Sequence, residues 1–111
     1  AQIEQVLINL LKNAREASAR RETPKIEVKA VFAPKVTSSL TAWRCTITVR
    51  DNGEGILPEV QDKIFVPFFT TKTAGSGIGL SLCKQIMNQH GGNITVYSEP
   101  GKGSCFTLQF C

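Results

Sequence analysis

The chain is 111 residues long, 41% hydrophobic and 20% charged, with a formal net charge of +4, which fits one globular domain built on a single core. It has neither the roughly eighteen consecutive apolar residues of a membrane span nor a secretory leader pattern. Its basic residues are scattered, so the charge reads as solvated surface mildly favouring anions, and nucleic acid is not an expected partner.

Residues 2–21 carry the pattern of an amphipathic helix. Ile3, Val6, Leu7, Leu10, Ala14 and Ala17 recur at three- and four-residue spacing as its core stripe. Asn9, Asn13 and Glu16 form a second, polar stripe beside it. Side-chain amides bordering a core need partners, which either solvent or a pocket supplies. The chain opens inside this helical pattern with no cap, as an excised piece of a longer protein does. Thr23-Pro24 ends the helix. Residues 25–32 then alternate as a half-buried strand, with Ile26, Val28, Ala30 and Phe32 on the buried face and Lys25, Glu27 and Lys29 outside. Residues 33–41 read as a hairpin loop.

A second alternating strand spans residues 43–50, with Trp43, Cys45, Ile47 and Val49 inward. One further step puts Asp51 on the same inward side, where a carboxylate is costly unless hydrogen-bond donors meet it. Asn52-Gly53-Glu54-Gly55 then turns the chain with backbone open to close approach by a flat ligand. An inward Asp beside such backbone suits an exocyclic amine such as adenine N6; an Asx-turn at a strand end is the plainer alternative. A short helix covers residues 58–64. Phe65, Phe68 and Phe69 sit within five residues, either at the root of a lid or simply in the core.

The segment Ala74-Gly75-Ser76-Gly77-Ile78-Gly79-Leu80 places three glycines at alternate positions before a helix over residues 78–90. A Gly-rich turn feeding a helix N-terminus offers free N–H donors and a positive dipole end to phosphate. No Gly-Lys-Ser/Thr follows, which excludes a Walker-type loop. No strand runs directly into the glycines with an acidic residue beyond, which argues against a dinucleotide fold. Leu82, Cys83, Ile86 and Met87 form the helix's apolar stripe, and His90 lies in its last turn before Gly91-Gly92. Residues 93–98 and 104–111 are strands joined at Glu99-Pro100-Gly101-Lys102-Gly103, with Ser104 in phase with Phe106, Leu108 and Phe110 and so starting out on the buried face. The four cysteines, Cys45, Cys83, Cys105 and Cys111, lack C-x-x-C spacing. Buried reduced thiols in a cytoplasmic setting are expected, with no metal cluster.

Four stretches now coincide in order. Asn9-Leu10-Leu11-Lys12-Asn13-Ala14 resembles an N box, Asp51-Asn52-Gly53-Glu54-Gly55 a G1 box, residues 65–69 an F box, and Gly75-Ser76-Gly77-Ile78-Gly79-Leu80 a G2 box. Together, across essentially the whole chain, they resemble the catalytic ATP-binding domain of sensor histidine kinases. That domain belongs to the wider group containing gyrase B, the Hsp90 chaperones and MutL, and Thr70-Thr71-Lys72 resembles the nitrogen-regulation-like subgroup. The resemblance implies an α/β (α+β) two-layer sandwich of the Bergerat type, one mostly antiparallel mixed β-sheet covered on one face by helices.

It also implies roles. Asn13 would hold Mg²⁺ bridging the phosphates of ATP, with Asn9 lining the same pocket. Asp51 would accept from adenine N6 with Ser104 beside it, and Gly53, Gly55 and Ile56 would shape the adenine side. Gly75, Gly77, Gly79 and Leu80 would wrap the triphosphate. The group's ATPases carry a Glu one turn before the Mg-binding Asn; here that position is Asn9, an amide that cannot act as a base, which favours kinase over ATPase. Many members carry a Lys three residues after that Asn, where this chain has Glu16. Lys72 is the expected replacement cation. The implied partners are an upstream dimerisation and phosphoacceptor domain, the whole protein being a homodimer, and a downstream response-regulator receiver domain. Membrane attachment of the whole protein stays open. The only histidine is His90, near its glycine cap, so the acceptor histidine is expected elsewhere. A protein serine kinase or an ATPase of the same group are the alternatives.

Overall fold

A computed structural model describes residues 2–36, 41–66 and 79–110. The elements run α1 (Gln2–Ser18), β1 (Ile26–Val36), β2 (Thr41–Asp51), α2 (Pro58–Gln61), α3 (Gly79–Gln89), β3 (Asn93–Glu99) and β4 (Gly103–Phe110). The strands form one sheet in the order β1-β2-β4-β3. Every pairing among them is antiparallel. Helices α1 and α3 pack on one face of this sheet, giving the expected two layers. Between them lies a core of Val6, Leu10 and Ala14 from α1, Cys83, Ile86 and Met87 from α3, and Val49, Ile94, Phe106 and Leu108 from the strands. No helix among the described residues is long and apolar enough to cross a membrane.

Local chemistry sets the element ends. Helix α1 stops at Ser18, earlier than its periodicity suggests, and the buried Ser18 hydroxyl donates back to the Ala14 carbonyl at 2.8 Å. Helix α3 ends with Gly91 at φ 72° and Gly92 N–H donating to Met87 O at 2.9 Å, a glycine C-cap that satisfies a last-turn carbonyl. His90 lies just past the helix, its Nδ1 2.8 Å from Ile86 O. The β3–β4 hairpin turns on Pro100 and on Gly101 at φ 81°, closed by Lys102 N–H donating to Glu99 O at 3.0 Å, the pattern of a type II turn.

Several sequence expectations need correction. Strand β1 is not half-buried: Val28 is 50% and Phe32 68% exposed, with Ile26 and Ala30 exposed as well. It is one of the sheet's two edge strands, and α1 packs chiefly over β2 instead of reaching over it. Both strands of the β1–β2 hairpin are longer than expected, pairing from Ile26↔Asp51 to Val36↔Thr41; residues 37–40 and the Trp43 side chain lie outside the described residues. Helix α2 ends at Gln61, short of residue 64. Leu82 is 36% exposed and flanks the apolar stripe of α3 instead of belonging to it. Of the thiols, Cys83 is buried, whereas Cys45 and Cys105 are half-buried.

These burials set a contrast. Leu108 is fully buried at 0% exposure, so Leu108→Ala is expected to cost about 2–5 kcal/mol. Phe32→Ser should stay within about 0.5 kcal/mol, as surface changes do. Urea midpoints of the two variants check this, and equal losses would contradict the exposed setting of β1.

Candidate functional site

Alternation along β2 buries Val49 and carries Asp51 inward with it, at 5% exposure. The β2–β4 register sets Asp51 opposite Ser104, and the β3–β4 register sets Ser98 opposite Ser104. Three buried polar residues therefore meet at one end of the sheet. Asp51 Oδ1 accepts the Gly53 N–H at 2.8 Å, which is the Asx-turn geometry. Burial pushes the Asp51 carboxyl above its usual range, and the backbone N–H groups of Gly53 and Ser104 partly offset that. So the Asx-turn is present, and it supports a buried acceptor.

Ser98 completes this end. Its hydroxyl oxygen accepts the Ile56 N–H at 2.7 Å, lies 3.0 Å from Gly103 O and is 2.8 Å from the Ser104 oxygen. The proton assignment that satisfies every atom has Ser98 donating to Gly103 O and Ser104 donating to Ser98. Ser104 then keeps lone pairs as acceptors near Asp51, and two neighbouring acceptors suit the two N–H donors of an amine. Gln61 braces the same corner, its Nε2 donating to Ile56 O and Ser98 O, each at 3.1 Å. Ser98 shares its phase with the buried Ile94, so the alternation that singled out Ser104 could have found it too. Nothing local marks Gln61.

The glycines of the turn are required by the protein's own packing. A Cβ at Gly53 would stand 2.5 Å from the Ala17 carbonyl oxygen; one at Gly55, where φ is +77°, would press on the Glu99 carbonyl. The turn is thus wedged between the end of α1 and the β3–β4 hairpin. Ile56 follows it, half-buried against the core.

Asn9 and Asn13 lie half-buried on the flank of α1, while Glu16 is exposed. Asn9 faces α3: its amide is 4.0 Å from the position a Cβ would take at Gly79. Burial pushes the Cys83 thiol up, and a hydrogen bond with the Asn9 side chain opposes this. The first turn of α3 contains no acidic residue, so no carboxylate of that turn offsets the positive end of the helix dipole. Leu80 packs partly buried against the core and Phe65 meets Phe106 edge-on, ring centroids 6.5 Å apart. Lys72, Gly75 and Gly77, together with Phe68 and Phe69, lie outside the described residues. Asp51, Gly53, Gly55, Ile56 and Ser104 converge at one end of the sheet; Asn9, Gly79 and Leu80 converge at the α1–α3 seam, with Asn13 one turn along α1.

The family model described as histidine kinase-, DNA gyrase B- and HSP90-like ATPase matches residues 1–111, the entire chain. The chain belongs to this family. Among individual relatives, this ATPase-family domain is 42% identical over 106 residues to the sensor histidine kinase ZraS of Salmonella typhimurium, covering 96% of the chain and 21% of ZraS. It is 36% identical over 111 residues to the sensory histidine kinase/phosphatase NtrB of Vibrio alginolyticus, covering 96% of the chain and 31% of NtrB. Among solved structures it resembles the catalytic domain of the histidine kinase ThkA, with TM-score 0.77 and 37% identity over 98% of the chain and 65% of that domain. The domain therefore spans between a fifth and a third of these two curated relatives. Its two-layer fold is that of a histidine kinase catalytic domain, and the likeness to NtrB fits the subgroup suggested by Thr70-Thr71-Lys72.

Proposed function

We propose that this domain binds Mg-ATP and donates the γ-phosphoryl group to a histidine on a separate dimerisation domain, as the catalytic unit of a longer two-component sensor kinase. The observation that carries the reading is the buried Asp51 carboxylate, held by two backbone N–H groups next to Ser104 in a chain matched end to end by the family model. Asp51 accepts from adenine N6, Ser104 supports it, and Gly53, Gly55 and Ile56 form the wall beside the base. Asn13 supplies an amide oxygen to Mg²⁺, a hard cation that takes oxygen ligands. When bound, the ion neutralises phosphate charge and fixes the geometry of transfer. Gly75, Gly77, Gly79 and Leu80 lie along the triphosphate.

Asn9 favours a kinase over an ATPase. Its amide positions groups at the α1–α3 seam and cannot deprotonate water, so the site holds ATP for another nucleophile. Lys72 supplies the cation that Glu16 does not. The phosphoryl acceptor, the receiver domain that follows and the paired protomer belong to other parts of the system, and transfer waits on docking because catalysis here is positioning and charge neutralisation.

Calorimetric titration of ATP into the chain, with and without Mg²⁺ and with Lys72→Ala in parallel, tests this reading. Binding that strengthens with Mg²⁺ and weakens about tenfold in Lys72→Ala is expected, the size of one charge-assisted contact. A wild-type chain silent toward ATP would overturn the function, and an unaffected Lys72→Ala would remove that residue from the site.

A further inference from the structure

Beyond the end of α1, Arg21 reaches into both backbone turns that flank the buried acceptors. Its Nε donates to Asn52 O at 2.7 Å, and its Nη2 donates to Gly53 O at 3.0 Å and to Gly101 O at 2.5 Å. Asn52 and Gly53 directly follow Asp51. Gly101 lies in the turn between the strands that carry Ser98 and Ser104. One side chain thus ties the segment holding the carboxylate to the hairpin holding the hydroxyls.

Other bonds align the same parts without replacing it. Gly101 N–H donates to Glu54 O at 2.7 Å, and Glu54 N–H donates to Ala17 O at 3.3 Å. The Asn52 side chain accepts the Lys25 N–H and donates to Thr23 O, both at 2.9 Å. Through its backbone Glu54 already joins the turn to α1 and to the hairpin, and Arg21 adds a side-chain tie that gathers three carbonyls of the two turns at once. A guanidinium does this because its donors form a rigid planar fork; an ammonium is a compact point donor on a flexible stem.

We propose that Arg21 is a positioning residue for recognition of the base: it holds the turn after Asp51 against the turn before Ser104, keeping the Asp51 carboxylate and the Ser104 hydroxyl aligned to read the 6-amino group of a purine. The proposal rests on the adenine reading of Asp51. A small shift of either rim spoils a two-acceptor match while leaving the phosphate end, at the α1–α3 seam, as it was. Base discrimination is therefore what Arg21 controls.

The test measures affinities of the chain for Mg-ATP and Mg-GTP in wild type, Arg21→Ala and Arg21→Lys, with melting temperatures recorded alongside. GTP carries a carbonyl where ATP carries the amine, so it sets an acceptor against these acceptors and gains nothing from their alignment. The expected result is about a tenfold loss of ATP affinity in both variants, with no loss of GTP affinity and no rescue by lysine. Equal weakening toward ATP and GTP would overturn the proposal, because loss of general rigidity does that; so would ATP affinity at the wild-type level. Should Arg21→Ala fail to fold, Arg21→Lys, which keeps the stem and the charge, decides by the same ratio. A wild-type chain that binds no ATP would instead overturn the underlying adenine reading, an outcome visible before any variant is compared.

Discussion

Asp51→Asn is expected to weaken ATP binding by about 10- to 100-fold, the worth of one to two charge-assisted hydrogen bonds. Two backbone groups already donate to the carboxylate, Gly53 N–H and Ser104 N–H. An amide has one oxygen and one NH₂, so with its oxygen kept on the Gly53 N–H it turns a donor toward the pocket, and the 6-amino group would lose its anionic acceptor. Calorimetry with ATP measures the loss, and affinity within twofold of wild type would take Asp51 out of base recognition.

The same residue sets a pH dependence whose sign can be worked out. Burial raises the folded-state pKa of Asp51 above its ordinary 3.8. The folded state therefore holds the proton more tightly than the unfolded chain. The stability this contributes is fully present below pH 3.8 and is lost as pH rises through the raised folded value. On the proposed adenine reading nucleotide affinity runs the other way, since the carboxylate would be the acceptor, and is expected to fall as pH drops through that value. Relative to Asp51→Asn, the nucleotide-free wild-type chain should lose melting temperature as pH rises across this range. A constant difference between the two chains would mean the Asp51 charge is not desolvated.

The inward placement of Asp51 and Ser104 was legible because alternation is a rigid code. Once Val49 faces inward, Asp51 and its neighbour Ser104 must as well, and register then does the rest. Edge position is not written in such a pattern. Strand β1 alternates as cleanly as β2, but α1 packs over β2 and leaves the apolar face of β1 uncovered, whereas the other edge strand, β3, still buries Ile94; which strand a helix covers is a tertiary fact. Arg21 and Gln61 were illegible for a related reason. Each acts on backbone carbonyls far along the chain, and a carbonyl carries no sequence signature. The turn glycines were legible as glycines but for an incomplete reason, since the neighbour requiring Gly53 and Gly55 to lack side chains includes the protein's own backbone.

That last point yields a sharp comparison among glycines. Gly55 and Gly91 have nearly the same backbone conformation, φ 77° and 72°. A Cβ at Gly91 meets nothing within 4 Å, whereas one at Gly55 runs into the Glu99 carbonyl. Gly91→Ala should therefore cost only the left-handed penalty of about 1–2 kcal/mol. Gly55→Ala adds a clash against backbone, which cannot swing aside as a side chain can, for about 1–3 kcal/mol more. The excess falls on the joint between the turn and the β3–β4 hairpin. Glu54 accepts the Gly101 N–H on one side of Gly55, and Ile56 donates to Ser98 on the other. Pushing the hairpin away from Gly55 pulls Ser98 and Ser104 off Asp51, so Gly55→Ala should lose ATP affinity together with stability while Gly91→Ala keeps its affinity. Denaturant midpoints and ATP titrations on the two variants read both effects. Equal destabilisation would mean that conformation alone, and not the close approach of the hairpin, is what demands glycine at position 55.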